Sequence, residues 1–188
     1  MKSHARVVVI GGGVVGVSTL YHLAKKGWSD VVLAERKELT SGSTWHAAGL
    51  LPLFNMSYSV GQIHKYSVKF YQELQEETGM DVGFRNVSNI RLASNQDRMD
   101  EFRQYAGVAS TIGVQVDFLT PEQVLDYWPM ANIEGLVGAI RHPQDGYIQP
   151  ADLTQALARG ARDRGAEIYR NTAVTAITRS DDGLWIVS

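Results

Sequence analysis

Several features that mark common functional sites are missing from this sequence of 188 residues. It contains no cysteine, which excludes disulfides, thiolate nucleophiles and cysteine-ligated zinc. No apolar run approaches the ~20 residues that a membrane-spanning helix needs. The net charge of -2 arises from 18 Lys and Arg and 20 Asp and Glu side chains. Because both signs are interspersed, we expect neither nucleic acid nor a membrane as a partner.

Motifs for metal binding and hydrolysis are also absent. His4, His22, His64 and His142 share no metal-ligand spacing, so we expect no metal. Neither a Walker motif nor a G-x-S-x-G motif occurs. No signal or transit peptide precedes the first strand-like segment, which predicts a soluble cytoplasmic protein. If a targeting segment has been removed, the mitochondrial matrix is the expected location.

The first part of the chain has the pattern strand, glycine-rich turn, helix, strand. Val7 to Ile10 form a continuous apolar run, which is typical of a parallel strand covered on both faces. Gly11, Gly13 and Gly16 then match G-x-G-x-x-G, a spacing that allows a tight turn, a close approach to a pyrophosphate and close helix packing. The helix that starts here would offer its free N–H groups to the phosphates.

An acidic residue completes this dinucleotide-binding pattern. Glu35 ends the second strand and follows Gly16 by 19 residues, near the ~20 expected for a carboxylate that binds ribose hydroxyls. A carboxylate there would repel a 2′-phosphate, which argues against NADP. The pattern does not distinguish NAD from FAD.

The next segment, "GSTWHAAG", combines small residues with one aromatic ring and one imidazole. With "ER" and "LTS" before it, this segment resembles the FAD-dependent amine oxidoreductases of the D-amino-acid oxidase and sarcosine oxidase superfamily. The likeness is greatest to the dimethylglycine dehydrogenases, sarcosine dehydrogenases and bacterial dimethylglycine oxidases. The resemblance implies that His46 carries FAD covalently, through the methyl carbon at C8 of the flavin ring. A packed histidine beside noncovalent FAD is the alternative.

The resemblance also predicts the residues that contact FAD. A second matching stretch, "RHPQDGYIQPADLTQALARGARDRGAEIYRNTAVTAI", contains Val174, whose backbone is expected near the adenine; a strand-core role is the alternative. The full predicted set comprises Gly11, Gly13, Val14, Val15, Gly16, Glu35, Arg36, Gly42, Ser43, Thr44, Trp45, Ala47, Ala48, Gly49, Leu50 and Val174.

The predicted fold is α/β, with a Rossmann-like FAD module interrupted by part of a mixed α+β substrate domain. We expect residues 1–83 and 148–188 in the FAD module and residues 84–147 in the substrate domain. A helix is predicted over about 57–79, with Ile63, Tyr66, Phe70 and Leu74 in the core. Asp145-Gly146 predicts a hairpin turn. The chain stops within a predicted strand, so we expect it to be truncated.

The resemblance implies oxidation of a secondary or tertiary N-methyl amine, such as dimethylglycine or sarcosine. A hydride would pass to flavin N5, and an unidentified acceptor would take up the electrons. Tetrahydrofolate would bind a region beyond this chain, and the catalytic groups are expected there as well. Three alternatives remain: a non-catalytic regulatory relative, another FAD-dependent amino-acid oxidase, or an NAD dehydrogenase. His46 argues against the first, and the lack of further βα units argues against the last.

Overall fold

The structure, a computed structural model, describes residues 2–53 and 57–188, and the chain divides into two compact units. Unit 1 comprises Met1–Gly49, Glu73–Gly83 and Gln149–Ser188, and unit 2 comprises Leu50–Gln72 and Phe84–Ile148. The FAD module had been predicted to include residues up to 83, whereas residues 50–72 belong to unit 2. The assignment of these units to an FAD module and a substrate domain stays a prediction.

Short strands alternate with helices along the chain. In chain order they are β1 (Val7–Ile10), α1 (Val14–Lys25), β2 (Val31–Ala34), a 3-10 helix (Ser43–His46), β3 (Leu50–Leu51), α2 (Tyr58–Thr78), β4 (Arg85–Asn86), β5 (Asn89–Ala93), α3 (Gln96–Thr111), β6 (Asp117–Leu119), α4 (Pro121–Val124), β7 (Gly138–His142), β8 (Gly146–Tyr147), α5 (Pro150–Arg162), β9 (Glu167–Tyr169), β10 (Ile177–Arg179) and β11 (Trp185–Val187).

Unit 1 is built on a parallel sheet with the strand order β1-β2-β9. The central strand β2 is buried along its whole length. The edge strand β1 alternates instead, and Val8 and Ile10 are 36% and 48% exposed. The prediction that β1 is covered on both faces was therefore wrong for this chain. Parallel strands joined through α1 confirm the predicted Rossmann-like α/β fold.

Two helices of unit 1 pack against each other through small residues. On α1, the buried residues are Val17, Leu20, Tyr21 and Ala24. On α5, the buried residues are Leu153, Thr154, Ala156, Leu157, Ala158, Gly160 and Ala161. A β-carbon at Gly160 would lie 2.7 Å from Cε2 of Tyr21, so α5 approaches α1 as closely as a glycine permits.

Unit 2 contains two antiparallel sheets, with the strand orders β5-β7-β6 and β3-β8-β4. Helix α3 has Asn95 as its N-cap, since the Asn95 side chain accepts a hydrogen bond from the N–H of Arg98. Apolar residues of α3, among them Met99, Phe102 and Tyr105, form a core with Ala93 of β5 and Ile140 of β7. α4 starts with a capping box between Thr120 and Gln123.

The prediction of a hairpin turn in unit 2 was wrong. Asp145-Gly146 is not a hairpin turn, because Gly146 begins β8, which pairs with β3 and β4 rather than with β7. Asp145 is 2% exposed, so this Asp-Gly pair lies inside the structure, whereas hairpin turns lie at the surface.

Helix α2 also differs from its predicted packing. It was predicted over 57–79 and spans Tyr58–Thr78, but only part of its apolar stripe is in the core. Phe70 and Leu74 are buried, whereas Ile63 and Tyr66 are 62% and 61% exposed. The helical spacing of these residues continues beyond the buried part of the helix.

Candidate functional site

The glycine-rich turn of unit 1 joins β1 to the start of α1. Gly11 has a φ of 106°, a conformation that other residues rarely adopt. A β-carbon at Gly16 would lie 2.0 Å from the carbonyl oxygen of Gly11, so the turn closes only with glycine there. Gly13 is the N-cap of α1 and has no side-chain capping bond of its own. Gly11 and Gly13 therefore belong to one tight turn before α1, and Gly16, in the first turn of that helix, packs directly against it.

Gly12, which was not among the predicted site residues, connects this turn to Glu35. Its N–H donates to Oε2 of Glu35 at 2.6 Å. A β-carbon at Gly12 would lie 2.9 Å from both Cβ and Cγ of Glu35 and 2.6 Å from Cδ2 of Leu39. Three consecutive glycines were the sequence signal for this close approach, since the dinucleotide pattern uses only the first and third.

Glu35 lies at the carboxyl end of β2 and is 9% exposed. Its second carboxylate oxygen, Oε1, accepts a hydrogen bond from the N–H of Lys37 at 2.7 Å. The backbone N–H of Glu35 donates to the carbonyl of Tyr169 in β9, and its carbonyl accepts from the N–H of Thr172. Four hydrogen bonds thus hold Glu35 at the carboxyl end of the strand, which is where ligands bind in open parallel sheets.

Thr44 brings the "GSTWHAAG" segment to the same turn. The Thr44 hydroxyl Oγ1 accepts a hydrogen bond from the N–H of Val14 at 2.9 Å, so it caps α1 from a distant part of the chain. Thr44 is 8% exposed. A β-carbon at Gly13 would lie 3.0 Å from this oxygen. A hydroxyl in this position can donate its own proton to an anion at the helix N-terminus.

His46 ends the 3-10 helix and is exposed. Its Nδ1 lies 3.1 Å from the carbonyl oxygen of Gly42. Because a carbonyl oxygen only accepts hydrogen bonds, Nδ1 donates and carries the proton, which leaves the lone pair on Nε2. The Trp45 ring lies beside it, with ring centroids 4.9 Å apart and planes tilted by 59°.

The remaining predicted residues divide between the two units. Among the predicted residues, those that are exposed in unit 1 are Val15, Arg36, Gly42, Ser43, Trp45, Ala47 and Ala48. Gly49 has a φ of 73°, and Leu50, 67% exposed, is the first residue of unit 2. Val174 is half-buried in the loop between β9 and β10, so the alternative role in a strand core does not apply. It follows Thr172, which is hydrogen-bonded to Glu35.

The geometry of unit 1 fits a dinucleotide cofactor. The turn presents backbone without side chains at Gly11, Gly12 and Gly13, next to a helix N-terminus that favours negative charge. Glu35 uses one lone pair of each carboxylate oxygen for the N–H groups of Gly12 and Lys37. Since a carboxylate offers about four acceptor positions, two remain for ribose hydroxyls.

The described part of the chain, residues 2–53 and 57–188, offers neither a metal site nor a membrane-spanning helix. No group of three or more His, Cys, Asp or Glu side chains there has the geometry to hold a metal ion. Among the same residues, no helix is long and apolar enough to cross a membrane. His22 is packed on α1, with its Nδ1 2.8 Å from the carbonyl oxygen of Ser18.

Comparison with known proteins decides which dinucleotide family this is. The family model described as FAD dependent oxidoreductase matches residues 6–188. The chain belongs to this family. The sequence resemblance to the D-amino-acid oxidase type of enzyme is thereby confirmed, and membership supports FAD as the cofactor, which the glycine pattern alone left open.

Individual proteins of known name are also similar to this chain. The chain is 44% identical over 186 residues to dimethylglycine dehydrogenase, mitochondrial, from Homo sapiens, a match that covers 99% of this chain and 22% of the relative. It is 36% identical to the pyruvate dehydrogenase phosphatase regulatory subunit, mitochondrial, from Mus musculus, covering 93% of this chain and 20% of that protein. The chain therefore spans about a fifth of the length of these relatives.

The fold is shared with solved flavoenzymes. The structure of L-proline dehydrogenase from P. horikoshii superposes with a TM-score of 0.90 at 26% identity, over 97% of this chain and 48% of that chain. The predicted α/β class is confirmed by this similarity together with the parallel sheet of unit 1.

Proposed function

We propose that this chain binds FAD as part of an enzyme that oxidises a secondary or tertiary N-methyl amine, such as dimethylglycine or sarcosine. The observation that supports it most is the arrangement of unit 1, where Glu35, the glycine turn and Thr44 are joined by hydrogen bonds of 2.6–2.9 Å. The 44% identity to dimethylglycine dehydrogenase supports the amine as the substrate class.

The residues of unit 1 would hold the two ends of the cofactor differently. Gly11, Gly12 and Gly13 would admit the pyrophosphate to the N-terminus of α1. Glu35 would accept hydrogen bonds from the adenosine ribose, while its bonds to Gly12 and Lys37 keep the carboxylate in place. Val174, near Thr172, would contribute its backbone to the adenine side. When bound, FAD would supply a two-electron acceptor for hydride from the N-methyl carbon.

His46 would bond covalently to the flavin through Nε2. Nδ1 is directed at the Gly42 carbonyl, so Nε2 is the ring nitrogen that would bond to the flavin. Forming this bond would replace one C–H bond of the methyl group at C8 with a C–N bond, release two protons, one from the methyl group and one from the imidazole, and pass two electrons to the electron acceptor used in turnover. Ala47 and Ala48, which are small and exposed, leave space for the ring edge.

Several features of the whole enzyme belong to the same proposal. Unit 2 would be part of the substrate domain, with the catalytic groups and a tetrahydrofolate site outside this chain. The iminium left by hydride loss would hydrolyse, or its one-carbon unit would pass to tetrahydrofolate. The mitochondrial relatives favour the mitochondrial matrix as the location. The electron acceptor is oxygen or an electron-transfer protein.

A second function is favoured by one observation, the 36% identity to a phosphatase regulatory subunit. In that case the chain would belong to a protein that binds the cofactor without oxidising an amine. The two functions differ in one measurable property, the reduction of the bound flavin by an amine.

Anaerobic reduction of the intact purified protein tests the proposed function. We expect dimethylglycine or sarcosine to bleach the visible absorbance of the oxidised flavin, whereas glycine, which has no N-methyl group, serves as the control. Flavin that is bound but not bleached by any N-methyl amine would contradict amine oxidation and favour the regulatory function. Binding of NAD in preference to FAD would contradict the cofactor assignment itself.

A further inference from the structure

The 3-10 helix that carries His46 is held in unit 1 by one buried side chain. Of its four residues, Ser43 to His46, only Thr44 is buried, and the other three are exposed. The Thr44 Oγ1 accepts a hydrogen bond at 2.9 Å from the N–H of Val14, the first residue of α1. Thr44 therefore joins an otherwise exposed turn to the start of α1.

Short-range contacts then tie His46 to Thr44. The carbonyl of Thr44 accepts a hydrogen bond from the N–H of Ala47 at 3.2 Å, which closes the 3-10 turn around His46. On the other side, Nδ1 of His46 lies 3.1 Å from the carbonyl oxygen of Gly42. Because only Trp45 separates the two residues in the chain, a shift of Thr44 would move the imidazole with it.

A second hydrogen bond joins the segment to the glycine turn further upstream. The N–H of Thr40 donates to the carbonyl of Gly12 at 3.0 Å. This bond links two backbones six residues before His46, so it fixes where the segment begins rather than where the imidazole lies. Helix α5 also lies near the 3-10 helix. The hydroxyl of Thr44, two residues from His46, is therefore the polar side-chain contact that most directly sets the place of the imidazole.

The bond from Val14 to Thr44 lies at the predicted phosphate site. Val14 follows the N-cap Gly13, and the N-terminus of α1 favours negative charge. A cofactor whose pyrophosphate lies there and a histidine held there would be positioned by the same helix end. The distance from His46 to the flavin would then depend on the hydrogen bond that Thr44 accepts.

We propose that Thr44 is a positioning residue for the covalent attachment of FAD to His46, an inference that rests on the proposed function. Its hydroxyl holds the 3-10 helix against the start of α1, so that Nε2 meets the methyl carbon at C8 in bonding geometry. Attachment replaces one C–H bond with a C–N bond, releases two protons and passes two electrons to oxygen or to an electron-transfer protein. The rate of such a step depends steeply on placement, since a displacement of ~1 Å can cost roughly 100-fold.

Covalent attachment in the intact protein, prepared without flavin and mixed with FAD in air, tests this role. Flavin that stays with the protein after acid precipitation is measured against time at increasing FAD concentrations. A contact that only binds FAD changes the concentration for half-maximal rate, whereas positioning changes the limiting rate at saturating FAD. We expect Thr44→Val to lower the limiting rate by about 10- to 100-fold. Thr44→Ser keeps the hydroxyl and should restore the rate.

Val14→Pro removes the same hydrogen bond from the donor side and leaves Thr44 in place. Proline suits the first residue of a helix, and Gly13, with φ −78° and ψ 174°, has the extended backbone that a residue before proline needs. The variant should therefore keep α1 and show a similar fall in the limiting rate. Ser41→Ala is the matched control, because its exposed hydroxyl lies on the same segment, and its rate should be unchanged.

Each of three results would overturn the positioning role and leave the proposed function intact. The first is an unchanged limiting rate in Thr44→Val and Val14→Pro, and the second is a change confined to the FAD concentration for half-maximal rate. The third is a fall in Thr44→Val alone, because the effect would then not pass through the N–H of Val14. Absence of acid-stable flavin in the unsubstituted protein would contradict the covalent attachment itself and the role of Thr44 with it.

Discussion

The carboxylate of Glu35 accepts two hydrogen bonds within the chain, and the ribose of the proposed ligand would donate more. Each oxygen of its carboxylate accepts one backbone N–H, from Gly12 and from Lys37. A glutamine has only one acceptor oxygen, so one of these N–H groups would face the amide NH₂ and lose its partner. The same residue therefore supports the local fold and prepares the ribose site.

We expect Glu35→Gln to weaken FAD binding and to lower stability. The loss of one hydrogen bond to a charged group at a buried position costs about 1–3 kcal/mol, which corresponds to a rise in Kd of roughly 5- to 150-fold. The Kd for FAD is measured by fluorescence titration of the apoprotein. His46→Ala is the background for this measurement, so that covalent attachment does not mask the affinity.

Glu38→Gln is the matched control for this variant. Glu38 is exposed and forms an ion pair with Arg170 at 2.5 Å, and exposed pairs contribute only about 0–1 kcal/mol. Its Kd should stay within a few-fold of the unsubstituted protein. Equal losses for the two variants would contradict a specific role for Glu35.

Sequence patterns pointed to most of the residues that form the glycine turn and its contact with Glu35, whereas their role in binding a cofactor stays a prediction. Gly11, Gly13, Gly16 and Glu35 were recognised because their spacing follows from the chemistry of the ligand. Gly12 was missed because it has no place in that spacing; its importance comes from the side chain of Glu35, which is distant along the chain.

At the scale of the elements, helices were predicted better than tertiary contacts. The bounds of α2, predicted at about 57–79 and observed at Tyr58–Thr78, depend on local periodicity and were confirmed. The Asp145-Gly146 pair has the composition of a hairpin turn, but its place was decided by pairing of β8 with β3 and β4. The pairing of strands that are distant in sequence cannot be predicted from two adjacent residues alone.

The packing of α1 on α5 gives a testable contrast between two helical glycines. Gly160→Ala places a β-carbon 2.7 Å from the Tyr21 ring, and we expect the overpacking to destabilise the protein by about 1–3 kcal/mol. Gly107→Ala, in α3, meets no atom within 4 Å and should stabilise by roughly 0.5–1 kcal/mol, since alanine favours the helix. Midpoints of urea unfolding measure both. Opposite signs are expected, and a neutral Gly160→Ala would contradict the close helix packing.

At the scale of the whole molecule, the chain combines two units with different kinds of core. Unit 1 has a parallel sheet and two helices, α1 and α5, that pack closely at Gly160, and unit 2 has two antiparallel sheets and an apolar core formed with α3. The sequence predicted an interrupted FAD module that includes residues 50–72, whereas these residues belong to unit 2 of the observed compact units. The reason is that α2 continues through both units, so no helix end marks the boundary.

The stability of the protein should depend on pH through His142. Burial, with a contribution from Arg91, lowers the pKa of His142 from 6.5 to about 4. Between these values the unfolded chain binds a proton that the folded protein does not, so stability falls as the pH is lowered through this window. The full effect is roughly 3 kcal/mol by pH 4, and the rise that burial causes in the pKa of Asp145 acts in the opposite direction.

Urea unfolding at pH 7 and pH 5 measures this effect. We expect His142→Gln to reduce the loss of stability between the two values, whereas His4→Gln, at an exposed position, should keep it. An unchanged pH dependence in His142→Gln would show that this histidine is not held neutral by burial.

The central claim is that His46, on the segment that Thr44 joins to the glycine turn, holds FAD covalently. Acid denaturation of the intact purified protein, followed by mass spectrometry of its peptides, tests this claim directly. We predict that the flavin stays with the protein and that the peptide containing His46 carries the mass of a flavin adduct. In His46→Ala, flavin should be released on denaturation although FAD still binds. Release of all flavin from the unsubstituted protein, with an unmodified His46 peptide, would contradict the claim.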